Sequence, residues 1–452
     1  MLPLDAAHER LIIGLGETGL SCARYFDRLK LPFALLDTRS NPPYLSTCKQ
    51  EFPSVPLYLG PLDPHLFRRV KELIVSPGIS LSEPVIADAI TRTQVLPIGD
   101  IELFAGKARA PIIAITGTNA KGTVTTLVGN MIRAAQFTAK IGGNIGKAAL
   151  DLLNTTTPDF YVLEISSFQL ETTYSLKAKI ATVLNISPDH LDRHKTLENY
   201  TQIKQRIYHN CETAIWNRND PSTRPQGFKS KRILSFGLEK VKPNSPEFGL
   251  QRLDDVTYLT KGKQYLIPVN KLTLKGQHNW ANALAALTIG HAINLPLTPM
   301  LEALCQFQGL PHRCQWIKEE KGVAWYNDSK ATNIGATLAA LNGLGSAITG
   351  QIILIAGGLG KAADFNLLSA SVARYVKTAI LIGQDALLLK KALEKNTLIQ
   401  LASDLSHAIS LAQRAALPGD TVLLSPACAS MDMFKNYEER GNIFVQLVRE
   451  KH

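Results

Sequence analysis

Short apolar runs recur along the chain, at 11–14, 33–36, 73–75, 111–115, 161–163, 180–184, 323–326, 351–356, 378–382 and 421–424. Each closes on glycine, serine, threonine, asparagine, aspartate or glutamate. Runs this brief, with turn residues at their ends, predict buried strands. Between several of them the apolar positions recur at helical spacing, as at 20–29, 123–135, 196–208 and 279–293. Strands alternating with helices predict α/β architecture. Small and polar residues gather where the strands end. That predicts open, mostly parallel sheets with ligands along the carboxyl edge. The stretch 238–272 lacks the alternation and predicts short strands and loops.

Two turns stand out. After the run at 111–115 comes TGTNAKG and then a helical pattern. A strand entering a helix through such a turn aims backbone N–H groups and the positive helix end at one point, which suits a phosphate. Lys121 adds a full charge. The general phosphate-loop pattern would have glycine at Ile115 and Ala120 and a hydroxyl at Gly122, so the match is partial. Near the start, Gly14-Leu15-Gly16-Glu17-Thr18-Gly19 is a G-x-G-x-x-G turn, and the next strand ends in Asp37, spaced to meet a ribose hydroxyl. Close helix packing is the plainer explanation of the glycines, but the terminal Asp37 favours nucleotide binding, of a dinucleotide or a nucleotide-sugar. Thr38 and Arg39 add a hydroxyl and a cation. Ser76-Pro77-Gly78 closes a third strand and could meet a second phosphate.

Other strand ends carry chemistry. Glu164 is a candidate magnesium ligand, with a structural salt bridge equally open. A further glycine-rich loop runs from Gly142 through Asn144 to Gly146. Asp189-His190-Leu191-Asp192-Arg193-His194 packs five ionisable groups into one loop, and His190 could be a metal ligand or substrate contact. Asn279 and Asn282 share a helix face at i and i+3, to read a base edge or to cap the helix. Lys204, on composition alone, is a helix-surface lysine.

With 452 residues, 45% of them hydrophobic, the chain can hold two to four domains. The segment 96–104 links the first unit to the next, and Gly309-Leu310-Pro311-His312-Arg313 reads as a hinge. The net charge of +11 has no long basic block behind it, and anionic small substrates account for it without nucleic acid. The six cysteines form no C-x-x-C pair, which indicates neither a zinc site nor a disulfide framework and fits a reducing cytoplasm. The opening MLPLDAAHER is too charged for a signal peptide, and no apolar run would span a bilayer.

The order of these motifs resembles that of the Mur ligases, the ATP-dependent amide-bond-forming enzymes of bacterial peptidoglycan synthesis. The resemblance covers essentially the whole chain. Asn327 to Asn333 and Leu424 to Ser430, followed by Asp432 and Phe434, are similar to the branch that adds D-glutamate. It implies three domains: a Rossmann-like UDP-binding domain (1–98), a central P-loop ATPase domain (99–309) and a C-terminal Rossmann-like domain (310–452). It implies ATP and magnesium as cofactors and UDP-N-acetylmuramoyl-L-alanine and D-glutamate as substrates. The protein would be a cytoplasmic monomer, without nucleic acid or membrane insertion.

By the same resemblance Gly117, Thr118, Asn119, Ala120, Lys121, Gly122 and Thr123 hold ATP, with Asn279, Asn282, Arg313 and Asp328. Glu164, His190 and Lys204 serve the metal, Lys204 after carbamylation turns its cation into an anion. Lys121, Glu164, His190 and Lys204 form the catalytic set. Thr18, Asp37, Thr38, Arg39, Ser76, Gly78, Asn144 and His190 hold the UDP substrate. Lys330, Thr332, Lys361, Ser430 and Tyr437 form the D-glutamate pocket. Four positions depart from the family pattern. Ala120 replaces a glycine, and its Cβ crowds the phosphates if the site needs positive φ. Gly122 replaces a hydroxyl for magnesium, a role left to water or Thr123. Leu359 replaces an acid, and Tyr437 an apolar aromatic. The alternatives are a related ligase with another amino acid, and a nucleotide-sugar-binding homologue that Ala120 and Gly122 have impaired.

Overall fold

The structure is a computed structural model and describes residues 9–154, 156–227, 231–273, 276–345, 348–360 and 363–450. Contacts divide it into two compact units. One comprises 1–186, 193–236 and 285–300; the other 187–192, 237–284 and 301–452.

The first unit contains two parallel sheets. β1 (Arg10–Ile13), β2 (Ala34–Asp37), β3 (Leu57–Leu59), β4 (Glu72–Val75) and β5 (Pro97–Ile98) form the sheet β3-β2-β1-β4-β5. All its neighbours are parallel, so the chain reverses on either side of β1. That reversal opens a crevice at the carboxyl edge, next to the G-x-G-x-x-G turn. β6 (Ile112–Thr116), β7 (Ala139–Gly143), β8 (Phe160–Glu164), β9 (Ile180–Val183), β10 (Thr213–Asn217) and β11 (Arg232–Phe236) pair in parallel in the order β11-β10-β9-β6-β8-β7. The central strand β6 is buried at every position, as a parallel strand covered on both faces should be.

The linker at 96–104 does more than connect. It forms β5 and the helix Asp100–Ala105, whose Phe104 is fully buried and meets Tyr161 edge-to-face at 5.0 Å. Ser21 Oγ donates to Asp151 at 2.9 Å, and Gln169 Nε2 donates to the buried Asp100 carboxylate at 3.0 Å. Residues of both sheets therefore share one apolar core. Burial pushes the Asp100 carboxyl up to about 6, although the Gln169 bond opposes this.

The second unit holds an antiparallel meander, β12 (Phe248–Leu253), β13 (Val256–Lys261) and β14 (Gln264–Pro268), where short strands and loops were expected. It also holds β15 (Gln315–Glu320), β16 (Val323–Asn327), β17 (Ile352–Gly357), β18 (Val376–Ile382), β19 (Leu398–Leu401) and β20 (Thr421–Leu424). These form the sheet β15-β16-β20-β17-β18-β19, parallel except for the β15–β16 pair. The polar loops after β16, β20 and β17 thus leave from neighbouring strand ends.

Candidate functional site

The turn after β6 is built in two halves. Its first half is clamped from β9: Thr118 N donates to Asn185 O (2.9 Å), Asn119 N to Asn185 Oδ1 (2.8 Å), and Asn185 Nδ2 to Asn119 O (3.1 Å). The expectation that the whole turn offers its amides to a ligand is corrected here, since two of them serve Asn185. The second half is the start of the helix Lys121–Ala134, which no side chain caps. The first amides of a helix have no acceptor within it. Ala120 sits just before them at φ +64°, ψ 0°. An alanine there carries a Cβ where only glycine is at ease, at about 1 kcal/mol. The departure from glycine therefore falls at a position that does need positive φ.

Two ammonium groups converge on one carbonyl. Lys121 Nζ donates to Gly117 O and Thr118 O, both at 2.9 Å, and Lys204 Nζ donates to the same Gly117 O at 2.8 Å. Lys204 is 1% exposed, which corrects its reading as a surface lysine. It lies 4.6 Å from the ring centre of Tyr200, whose hydroxyl donates to Thr118 Oγ1 at 3.2 Å. Thr123 and Gly122 are buried in the first turn of the helix.

Glu164 ends β8, and its register partner on β6 is Ile115. Its Oε1 accepts from Asn144 Nδ2 at 2.7 Å, while its Oε2 is buried without any hydrogen-bond partner. A buried carboxylate oxygen left unpaired costs more than a made bond returns, so this atom fits a cation. Asn144 is placed by its own N–H on Glu164 O (2.8 Å) and by Gly143 at φ +97°, where a Cβ would stand 2.3 Å from that same carbonyl. Among the described residues no three His, Cys, Asp or Glu side chains gather as a metal cluster.

The loop at 189–194 separates by role. Arg193 is ion-paired to Glu171, donates to Pro77 O at 2.9 Å and lies over the Phe168 ring. His194 is buried against Ser167 Oγ at 3.0 Å and stacks on Phe168. Both are structural. His190 belongs by its contacts to the second unit, with its Nε2 3.6 Å from Asp189 Oδ2. That carboxylate also accepts from Asn333 Nδ2 at 3.0 Å.

The turn after β1 spends its polar groups on itself. Asp37 is fully buried; it accepts from Leu15 N (2.6 Å), Arg39 N (2.9 Å) and both arms of the Arg39 guanidinium. Burial alone would raise its carboxyl, but Arg39 and the two amides outweigh burial and hold it below the ordinary carboxylate range. The expected reach of Asp37 to a ribose is corrected accordingly: it shapes the loop, and the exposed Thr38 and Arg39 are left to meet a ligand. Ser76 Oγ donates to Gly14 O at 2.8 Å, so it too is partly a brace. Gly14 and Gly19 are needed for packing, since a Cβ on Gly19 would lie 1.9 Å from Gly14 O. Gly16 and Gly78 face open space, and Thr18, two positions after Gly16, is half-buried.

In the second unit, Asn279 lies inside the helix Gln277–Ala292, so it is not a cap, and Asn282 Nδ2 donates to its Oδ1 at 3.3 Å. Asp328 is buried and accepts from Ser425 Oγ (2.8 Å) and Cys314 N (3.0 Å). Burial pushes its carboxyl up to about 7, against the pull of those bonds and of Arg313. Arg313 Nε is buried with no partner.

Lys330 Nζ lies 4.8 Å from the Tyr437 ring centre, and Thr332 N donates to Lys330 O. Ser430 is buried, its carbonyl accepting from Phe434 N at 2.8 Å. Lys361 lies outside the described residues. Sequence reasoning missed the residue that ties these loops. Arg440 is 1% exposed; it donates to Ser329 Oγ (2.9 Å), Ser329 O (2.7 Å) and Cys428 O (3.3 Å), joining the loop after β16 to the loop after β20. Burial pushes its guanidinium down to about 10. Only its place at i+3 from Tyr437 could have drawn notice.

Three family models match this chain in order: the MurD-like N-terminal domain over 8–96, the Mur ligase middle domain over 115–290, and the Mur ligase glutamate ligase domain over 312–428. The chain is 47% identical over 440 residues to a UDP-N-acetylmuramoylalanine--D-glutamate ligase of Legionella pneumophila, covering 97% of this chain and 98% of that one. It is 48% identical over 443 residues to the protein of that name from Pseudomonas aeruginosa, covering 98% of each. Its fold matches that of MurF ligase from Thermotoga maritima, solved in complex with ADP, at a TM-score of 0.61 and 14% identity, over 99% of this chain and 98% of that one.

Proposed function

The chain belongs to the Mur ligase family, and on that premise we propose that it joins D-glutamate to UDP-N-acetylmuramoyl-L-alanine with ATP, in peptidoglycan precursor synthesis. The carboxylate of the UDP substrate takes the γ-phosphoryl group, releasing ADP. The amine of D-glutamate attacks the acyl carbon, phosphate leaves, and the amine sheds a proton. Phosphorylation makes a poor acyl donor reactive, and the site must neutralise the charge crowded around the transferring group.

The observation that carries this reading is the juxtaposition on adjoining strands of the Lys121 turn and the unpaired Glu164 Oε2. Lys121, with the amides that open its helix, would hold the phosphates. Glu164 would hold magnesium, which when bound draws charge from the phosphate oxygens. Lys204 supports the carbamate reading by its position. Loss of one proton from the Lys204 ammonium, addition of carbon dioxide at the freed Nζ and loss of a second proton would turn two ammonium groups on one carbonyl into an opposite-charge pair while leaving an N–H for Gly117 O. Asn279, Asn282, Arg313 and Asp328 would take the nucleoside, and Thr38, Arg39 and Gly78 the UDP moiety. Lys330, Thr332, Ser430 and Tyr437, with Lys361, would take D-glutamate. The domain limits follow as 1–98, 99–309 and 310–452. Among the described residues no helix is long and apolar enough to cross a membrane, and we place the enzyme in the cytoplasm as a monomer.

ADP release, measured with each component omitted in turn, tests the proposal. It should require UDP-N-acetylmuramoyl-L-alanine, D-glutamate and magnesium together. Silence with all three present would favour the impaired homologue. Release with another amino acid in place of D-glutamate would favour a different acceptor.

A further inference from the structure

The first sheet carries a second concave site, at the edge away from the G-x-G-x-x-G turn. A cavity of about 520 Å³ opens between the turn Pro64–Phe67, the stretch 68–71 and the helix Pro84–Thr93. Lys71 immediately precedes β4, whereas Ser76 and Gly78 follow its other end, so the strand's full length, about 13 Å, separates the cavity from the UDP candidates.

The wall of this cavity is strongly cationic. Arg68, Arg69, Lys71 and Arg92 line it against the single carboxylate of Asp88. Asp88 is taken by Arg92 at 2.7 Å, and Lys71 pairs with Glu9 at 2.5 Å. Arg68 and Arg69 are exposed and make no side-chain hydrogen bond or ion pair with any described residue. Elsewhere around this sheet Arg10 pairs with Glu72, and Arg24, on the helix Glu17–Arg28, pairs with Glu51. Neighbouring cations without a counter-charge repel one another. Here they also border an apolar floor of Phe67, Val70 and Ala89, which focuses their field into the concavity.

We propose that this cleft binds a small phosphorylated anion, a pyrophosphate or phosphate ester, at a site separate from those of both nucleotides. Guanidinium forks match phosphate oxygens in pairs, which suits Arg68 and Arg69 better than a single carboxylate would. The cavity is of small-ligand size. A flat membrane or an extended peptide would use the rim and leave the concavity unfilled.

The test is calorimetric titration of the full chain with inorganic pyrophosphate, with saturating UDP and in a Lys121→Ala background that silences the phosphate turn. One saturable site should persist and weaken at least about tenfold in Arg68→Glu/Arg69→Glu. Arg68→Lys/Arg69→Lys should fall between, keeping charge and losing the forks. Hydrogen exchange in Pro84–Thr93 should slow with pyrophosphate only where the arginines are intact. Equal isotherms with and without the charge reversal would overturn the proposal. So would binding of phosphatidylglycerol vesicles with no pyrophosphate site. Ligase turnover, measured with Lys121 restored, should be unchanged by the charge reversal, so this inference can fail while the ligase reading stands.

Discussion

The two turns of the first unit share one grammar, strand, glycine-rich turn, helix, yet they are finished in opposite ways. After β1 the polar groups close on each other: Asp37 on Leu15 and Arg39, Ser76 on Gly14. What remains open is bare backbone at Gly16 and Gly78, with the exposed Thr38 and Arg39. After β6 the charged groups converge on Gly117 O, and beside them Glu164 keeps a buried oxygen with no partner. A self-satisfied turn can only bind and orient. A turn that holds unbalanced charge in a buried place can stabilise charge that appears during a reaction, because water does not screen it.

Replacing the charged groups of the second turn should break the comparison most strongly. Lys121→Ala and Glu164→Gln should each lower ADP release by roughly a thousandfold, with UDP affinity unchanged by equilibrium titration. A matched loss of UDP binding would show that the two turns are not separate in role.

The next effect is at Asp37. Asp37→Asn should loosen the first turn, raise KM for the UDP substrate about tenfold and leave kcat nearly intact, as removal of uniform binding does. The pH dependence has a definite sign. The folded-state carboxyl is held below its ordinary value, so its contribution to stability is present above that ordinary value and fades as pH falls through the folded one. Acid unfolding curves of the wild type and Asp37→Asn should therefore converge at low pH.

The smallest effect is at Ala120. Ala120→Gly should relieve the left-handed strain and raise stability by up to about 1 kcal/mol in urea unfolding. The gain is partly offset by the extra freedom of glycine in the unfolded chain. A loss of stability would mean that the Cβ makes contacts worth more than the strain.

Much of this was legible in the sequence because it is local. Apolar runs gave the strands, helical spacing gave the helices, and glycine marked the turns at Gly14 and Gly19, where a side chain cannot fit. Lys121 and Glu164 stood at strand ends, where an open parallel sheet puts its ligands. Residues that act through distant partners were not legible. Asn185 reads as an ordinary strand end until it meets Thr118 and Asn119 across 66 positions of chain. Arg193 and His194 read as chemistry and proved to be packing. Arg440 read as nothing, yet it is buried and ties Ser329, 111 positions before it, to Cys428, 12 positions before it.

The sequence by itself determined the alternation of strands and helices and which strand ends bear ionisable groups, since both follow from side-chain type and spacing. Tertiary structure decided which of those groups are spent and which are left over. Asp37 and Glu164 are both acids at the carboxyl ends of buried strands. One has every oxygen engaged and the other does not, because that depends on which loops fold back over each strand end. Hydrogen-bond valence is settled in space, not along the chain.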